Sequence, residues 1–128
     1  MSKSVNLNFN SLPAAVGPYS QAVKINNLIF LSGQIPIDVK TGLLIENNIE
    51  KQTHQVLINI RNFLKDNNLD MNAIIKTNVY VKDITDFPKI NEIYASYFRA
   101  PYPARALVEV SRLPKDVLIE IECVIAAD

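Results

Sequence analysis

Hydrophobic and polar positions alternate in the first third of the chain and change to a three-to-four spacing in its middle. Residues 21–25 and 28–32 alternate as strands do, and Asn26 and Asn27 between them tolerate the positive φ of a two-residue hairpin turn. A second turn signal over 38–42 precedes Leu43, Leu44 and Ile45, which predicts a short paired arm. From Ile49 the spacing changes. Ile49, Thr53, Val56, Leu57, Ile60, Phe63 and Leu64 share one face of an amphipathic helix, with Asn47 or Asn48 as its cap and the turn Asp66, Asn67, Asn68 as its end. Alternation returns over 73–81 in a β-branched stretch that predicts a strand. Thr85 and Asp86 then cap a second helix, with Pro88 in its first turn and Ile90, Ile93, Tyr94, Tyr97 and Phe98 along one side; Pro101 and Pro103 stop it. Two strands, 105–111 and 117–126, flank a turn at 113–116. This order predicts an α+β fold, a mixed sheet with both helices packed on one face. No repeat, linker or low-complexity stretch interrupts residues 1–128, so a single domain is expected.

Alternation also assigns faces. In the last strand Val117, Ile119, Ile121, Cys123 and Ile125 point under the helices, and Leu118, Glu120, Glu122 and Val124 point away. The preceding strand is expected to turn Ala106, Val108 and Val110 toward the core and Arg105, Leu107 and Glu109 to the far side. Ile75, Val79 and Val81 are expected inward, with Lys76, Asn78 and Tyr80 on the far side. That far face combines ionised groups with Phe30, Tyr80, Leu107, Leu118 and Val124, too apolar for a freely solvated sheet and too charged for a core. A second copy of the chain would cover it; an amphipathic solvated face fits the same composition.

Composition narrows the chemistry. Lys plus Arg is 13 and Asp plus Glu is 13 in 128 residues, so no net field gathers polyanions or an anionic membrane, which argues against nucleic acid as the main partner. A chain of this length buries roughly two-thirds of its unfolded surface, enough for a self-sufficient core. Its aliphatic runs fall far short of the ~20 residues that span a bilayer. The first ten residues carry one Lys and no apolar block, which reads as a cytoplasmic start. Cys123 and His54 are the only cysteine and histidine. Zinc patterns built from paired Cys and His are therefore absent, and no metal is expected. His54 reads as a surface helix residue and Cys123 as a small buried strand residue.

Arg105 follows Pro101, Tyr102, Pro103 and Ala104, so its guanidinium leaves a strand whose start is stiffened by proline. Such a fixed fork suits bidentate recognition of a small carboxylate, and Glu120, on the same expected face, could hold or deprotonate a water. The pair fits a hydrolytic site for a small acid. On these residues alone an interfacial salt bridge is the better-supported reading, since such pairs commonly serve structure. Alternation does not choose between Glu120 and Glu122.

Six fragments in register carry a resemblance: residues 17–22 (Gly-Pro-Tyr-Ser-Gln-Ala), 32–36 (Ser-Gly-Gln-Ile-Pro), 76–83 (Lys-Thr-Asn-Val-Tyr-Val-Lys-Asp), Asn91, 102–105 (Tyr-Pro-Ala-Arg), and 112–116 (Arg-Leu-Pro-Lys-Asp) followed by Ile119, Glu120, Ile121 and Glu122. From about Gly17 to Ile125 the chain resembles the RidA/YjgF family, the reactive intermediate deaminases. The resemblance implies a chorismate-mutase-like fold and a homotrimer whose sheets form a central barrel, with three sites in the clefts between subunits. It implies Arg105 as the carboxylate clamp and Glu120 as the residue that positions and activates water. Tyr19 resembles the aromatic lid contributed by an adjacent subunit, Ser32 and Gly33 the ligand-holding loop, and Asn91 a family position near the site. Leu107 departs from the family, standing where many relatives carry Cys.

The implied reaction is hydrolysis of enamine and imine acids released by pyridoxal-phosphate dehydratases: 2-aminoacrylate (2-iminopropanoate) to pyruvate, or 2-aminocrotonate (2-iminobutanoate) to 2-oxobutanoate, with ammonia released. It requires neither metal nor organic cofactor. The resemblance also carries RNA cleavage, translation inhibition, chaperone-like binding and small-ligand sensing as alternatives. Zero net charge and one histidine argue against the first; the Arg105 clamp could serve a sensor of 2-oxo acids without turnover.

Overall fold

The computed structural model describes residues 2–127. β1 (Ala22–Ile25) and β2 (Leu28–Gln34) form the expected hairpin, Ile25 facing Leu28 across a turn in which Asn26 takes φ 53°. The arm follows as β3 (Ile37–Asp38) and β4 (Leu43–Leu44). Gly42 closes it at φ 75°, a conformation that suits glycine, and donates its N–H to the Asp38 carbonyl at 2.7 Å. Helix α1 (Ile49–Asp66) is capped by Asn48, whose side chain accepts from the Lys51 N–H at 2.9 Å. Its apolar stripe buries Val56, Leu57, Ile60, Phe63 and Leu64 completely, roughly 1.5–3 kcal/mol for each large side chain.

A short 3-10 turn over Met71–Ala73 takes the start of the strand predicted at 73, and β5 spans Ile74–Val81. A second such turn, Ile84–Asp86, leads into α2 (Phe87–Tyr97). Asp86 takes the expected N-cap position of α2 but makes no side-chain capping bond; Asp83 caps the preceding turn, accepting from the Thr85 N–H at 2.9 Å and hydroxyl at 2.6 Å. β6 (Ala104–Glu109), a turn at Pro114–Asp116 and β7 (Ile119–Ala126) complete the order.

The sheet runs β1-β2-β7-β5-β6, antiparallel except for β5 and β6, which are parallel across the α2 crossover. Ile119, Ile121, Cys123 and Ile125 of β7 lie under the helices with Ile29, Leu31, Thr77, Val79 and Val81. The fold is α+β, with both helices on one face of a mixed sheet. Among the described residues no helix is long and apolar enough to cross a membrane.

Two face assignments are corrected. The β5–β7 pairing shifts between Ile74 and Lys76, so Ile74 is buried and Ile75 turns out, 46% exposed. In β6 the faces are reversed: Arg105, Leu107 and Glu109 pair with Thr77, Val79 and Val81, so they share the helix side, while Val108 pairs with Tyr80 on the open side. Leu107 packs against the core and Val108 is 47% exposed. The error has a physical source. β6 is an edge strand with small or apolar residues on both faces, so alternation marks two faces without saying which one the helices take.

Candidate functional site

The structure divides the six expected site residues into two groups. Tyr19, Ser32, Gly33 and Glu120 line one cleft of about 820 Å³. Its wall is strapped by two buried amides: Gln34 Nε2 donates to Gln21 Oε1 at 2.8 Å and to the Ser32 carbonyl at 3.0 Å, and Gln21 Nε2 donates to the Pro13 carbonyl at 2.7 Å. Ser32 is fixed twice more, its N–H donating to the Gln21 carbonyl at 2.8 Å and its hydroxyl to the Ser20 carbonyl at 2.7 Å. The 13–21 segment bearing Tyr19 is thus tied to β2, with Tyr19 half exposed at the cleft.

Gly33 has a specific reason to be glycine. A Cβ there would overlap the Glu120 carboxylate where it now lies, so the bare backbone of Gly33 lets that side chain rest against β2 without shifting. Burial raises the proton affinity of Glu120 above the usual carboxylate range, and the neighbouring Glu122 charge adds to the shift. Glu122 is differently placed: it accepts from the Tyr80 hydroxyl at 2.5 Å and from Asn78 Nδ2 at 3.1 Å. That bond, then burial and the charges of Glu122 and Glu120, push the Tyr80 hydroxyl up to about 12, so it stays a donor. Among the described residues no donor is bonded to Glu120. Its only charged companion in the cleft lining is Lys115, held at φ 56° beside Asp116 at φ 57° in a turn clasped by the Arg112–Asp116 ion pair at 3.1 Å.

Arg105 and Asn91 form the second group. Arg105 Nη1 donates to Asn91 Oδ1 at 2.7 Å, and the guanidinium carbon lies 4.8 Å from the centre of the Tyr94 ring and 5.5 Å from that of Phe87. The Tyr94 ring is anchored in turn, its hydroxyl 2.7 Å from Thr77 Oγ1. Among the described residues no carboxylate pairs with Arg105; neutral partners hold the fork, which keeps its charge uncompensated. The sequence does not mark Phe87 and Tyr94 as the seat of Arg105, although Phe87, Asn91 and Tyr94 recur at the four-and-three spacing of one face of α2.

Arg105 and Glu120 therefore do not share a face, contrary to expectation. Arg105 sits with Asn91 on the helix side of the edge strand, and Glu120, opposite Tyr80, leaves the other side of the sheet. This also excludes a salt bridge between them within one chain. A fixed cation suited to a carboxylate and a carboxylate with raised proton affinity are both present, on surfaces pointing apart. Among the described residues no three His, Cys, Asp or Glu side chains are grouped to hold a metal ion. His54 lies exposed on α1, its Nδ1 2.9 Å from the Tyr97 hydroxyl, and Cys123 is buried.

Comparison with known proteins places the chain in a wider set. The family model described as Endoribonuclease L-PSP matches residues 9–127. A RutC family protein of Pyrococcus horikoshii is 55% identical over 112 residues, covering 88% of this chain and 89% of that one. Reactive Intermediate Deaminase A of Arabidopsis thaliana, a chloroplastic protein, is 48% identical over 112 residues, covering 88% of this chain and 60% of the relative. Among solved structures, YyfA of Yersinia pestis, a protein of unknown function in the conserved Rid family, superposes with a TM-score of 0.92 at 46% identity, covering 98% of this chain and 99% of that one.

Proposed function

Because the chain belongs to the Endoribonuclease L-PSP family, the RidA/YjgF proteins, we propose that it hydrolyses small enamine and imine acids, 2-aminoacrylate and 2-aminocrotonate in their imine forms, to 2-oxo acids and ammonia. The observation that carries this reading is the contrast between its two charged groups. Arg105 is a guanidinium fixed by an amide and two rings and, among the described residues, left without a counter-charge. Glu120 is a carboxylate partly withdrawn from water beside Gly33.

The reaction asks little more. The imine carbon is already electrophilic, so a clamped carboxylate and one oriented water reduce the problem to positioning and proton transfer. Arg105 holds the substrate carboxylate while Glu120 takes a proton from water as its oxygen bonds to the imine carbon. The same carboxyl returns that proton to nitrogen. In the tetrahedral adduct the hydroxyl proton then passes through the same carboxylate to the amino nitrogen, and the C–N bond breaks as the carbonyl forms, releasing ammonia and the 2-oxo acid. A raised proton affinity favours this shuttle, because the group must both accept and give a proton near neutrality.

Since the two halves face apart within one chain, the reading requires Arg105 and Asn91 of one protomer to meet Tyr19, Ser32, Gly33 and Glu120 of another. A homotrimer closing the open sheet faces into a barrel would provide this. The test is pyruvate release from 2-aminoacrylate generated in situ by a serine dehydratase. The protein should accelerate release over the spontaneous rate, equally with and without chelator. A rate unchanged over the spontaneous reaction, with 2-oxobutanoate still bound, would make the protein a 2-oxo-acid-binding module instead.

A further inference from the structure

We propose that the shallow pocket between the C-terminal turns of α1 and α2 is a second ligand site, for a phosphorylated small molecule of mononucleotide size. The pocket measures about 470 Å³, within the ~300–1,000 Å³ span of small-molecule sites and larger than a bare phosphate needs. None of its lining is shared with the Glu120 cleft or with the Arg105 group. Arg61 and Lys65 stand on successive turns of α1, Arg99 follows α2, and Leu69, Met71 and Phe98 supply an apolar surface.

The two arginines are held in place by neutral groups. The Arg61 guanidinium carbon lies 5.2 Å from the centre of the Tyr97 ring, whose hydroxyl is fixed by His54 Nδ1 at 2.9 Å. Asn72, with its amide oriented to satisfy both groups, accepts from Arg99 Nη2 at 2.6 Å and Nε at 3.2 Å. Among the described residues no carboxylate pairs with Arg61, Lys65 or Arg99; the ion pairs run from Lys51 to Glu46 and from Arg112 to Asp116. The one acid of the lining, Asp70, accepts from the Asn72 N–H at 2.9 Å to cap the Met71–Ala73 turn.

Three cations and one acid thus meet in a chain whose formal charges cancel. Lys65 in the last turn of α1 can be explained by the carbonyls of the helix end, but Arg61 and Arg99 are directed at Tyr97 and Asn72 instead. Guanidinium forks held without carboxylate partners suit phosphate oxygens, and the apolar surface suits a planar body attached to them.

The test is calorimetric titration of the full chain with AMP, adenosine and inorganic phosphate, on the wild type and on Lys65→Gln, Arg99→Gln and Arg105→Ala. AMP should bind saturably, more tightly than phosphate, and adenosine should not bind. Lys65→Gln and Arg99→Gln should each weaken AMP about tenfold, the effect of losing one charge-assisted contact. Both side chains are exposed, so melting temperature and imine hydrolysis should be unchanged in these variants. Arg105→Ala should bind AMP as the wild type does. No saturable AMP binding, binding undiminished in both pocket variants, phosphate as tight as AMP, or loss of AMP in Arg105→Ala would each overturn the site.

Discussion

Glu122 receives hydrogen bonds from Tyr80 and Asn78, whereas Glu120, two residues earlier on the same strand face, meets the bare backbone of Gly33 and the cleft. The difference separates a carboxylate engaged in the sheet from one free to handle a proton. Because burial, and then the Glu122 charge, raise Glu120, its ionised form is the costlier one in the folded state. Turnover that needs the carboxylate should therefore fall as pH drops, with a midpoint above the ordinary carboxylate range. Glu122→Gln removes the repelling charge and should move that midpoint to lower pH while preserving turnover at neutrality. An unmoved midpoint would refute the coupling. Stability runs the other way: the folded state binds the Glu120 proton more tightly than the unfolded chain, so stability declines as pH rises through the raised value. Glu120→Gln should accordingly melt higher than the wild type near neutrality while the chemical step falls by roughly 10²–10⁴ and 2-oxobutanoate binding survives. Arg105→Ala should lose that binding, typically ~2–5 kcal/mol for a desolvated charged contact.

Local signals placed the elements, and they failed where a second strand decides. The Asn26–Asn27 turn, the arm closed at Gly42 and the stripe from Ile49 to Leu64 depend on neighbours in sequence and were legible there. The Asn48 cap belongs with them. Asn48→Ala should cost about 1 kcal/mol in denaturant unfolding and leave turnover unchanged, since α1 carries no residue of the proposed site. Ile75 and the faces of β6 depend instead on pairing. The shift between Ile74 and Lys76 exists only against β7, and the parallel register with β5 is what sends Arg105 to the helix side. The candidate site was legible in part for the same reason. The motifs named Arg105, Asn91, Tyr19, Ser32, Gly33 and Glu120, yet the aromatic seat of Arg105 on α2 and the Gln21–Gln34 strap need tertiary proximity that spacing does not encode.

At the scale of the molecule, the open sheet face is both apolar and charged, and the proposed site is split between two surfaces of the chain. Phe30, Ile75 and Val108 are exposed by 46%, 46% and 47%, while the helices cover only the other side. Exposed apolar surface of this extent favours another copy of the chain, and the separation of Arg105 from Glu120 says what the copy must bring. Light scattering should give three times the chain mass, and a stable monomer at micromolar concentration would remove both the barrel and the shared site. The sharper experiment uses two inactive proteins. Arg105→Ala keeps the Glu120 cleft and Glu120→Gln keeps the Arg105 clamp, so each homotrimer lacks one half of every site. Unfolded together in equal amounts and refolded, they should assemble at random into a population in which about a quarter of all sites join an intact clamp to an intact cleft, and turnover should return to about that fraction. Glu120→Gln refolded alone should stay inactive. If each site belonged to a single chain, no mixture could unite the intact halves, and activity would remain at the level of the separate variants even though trimers had formed.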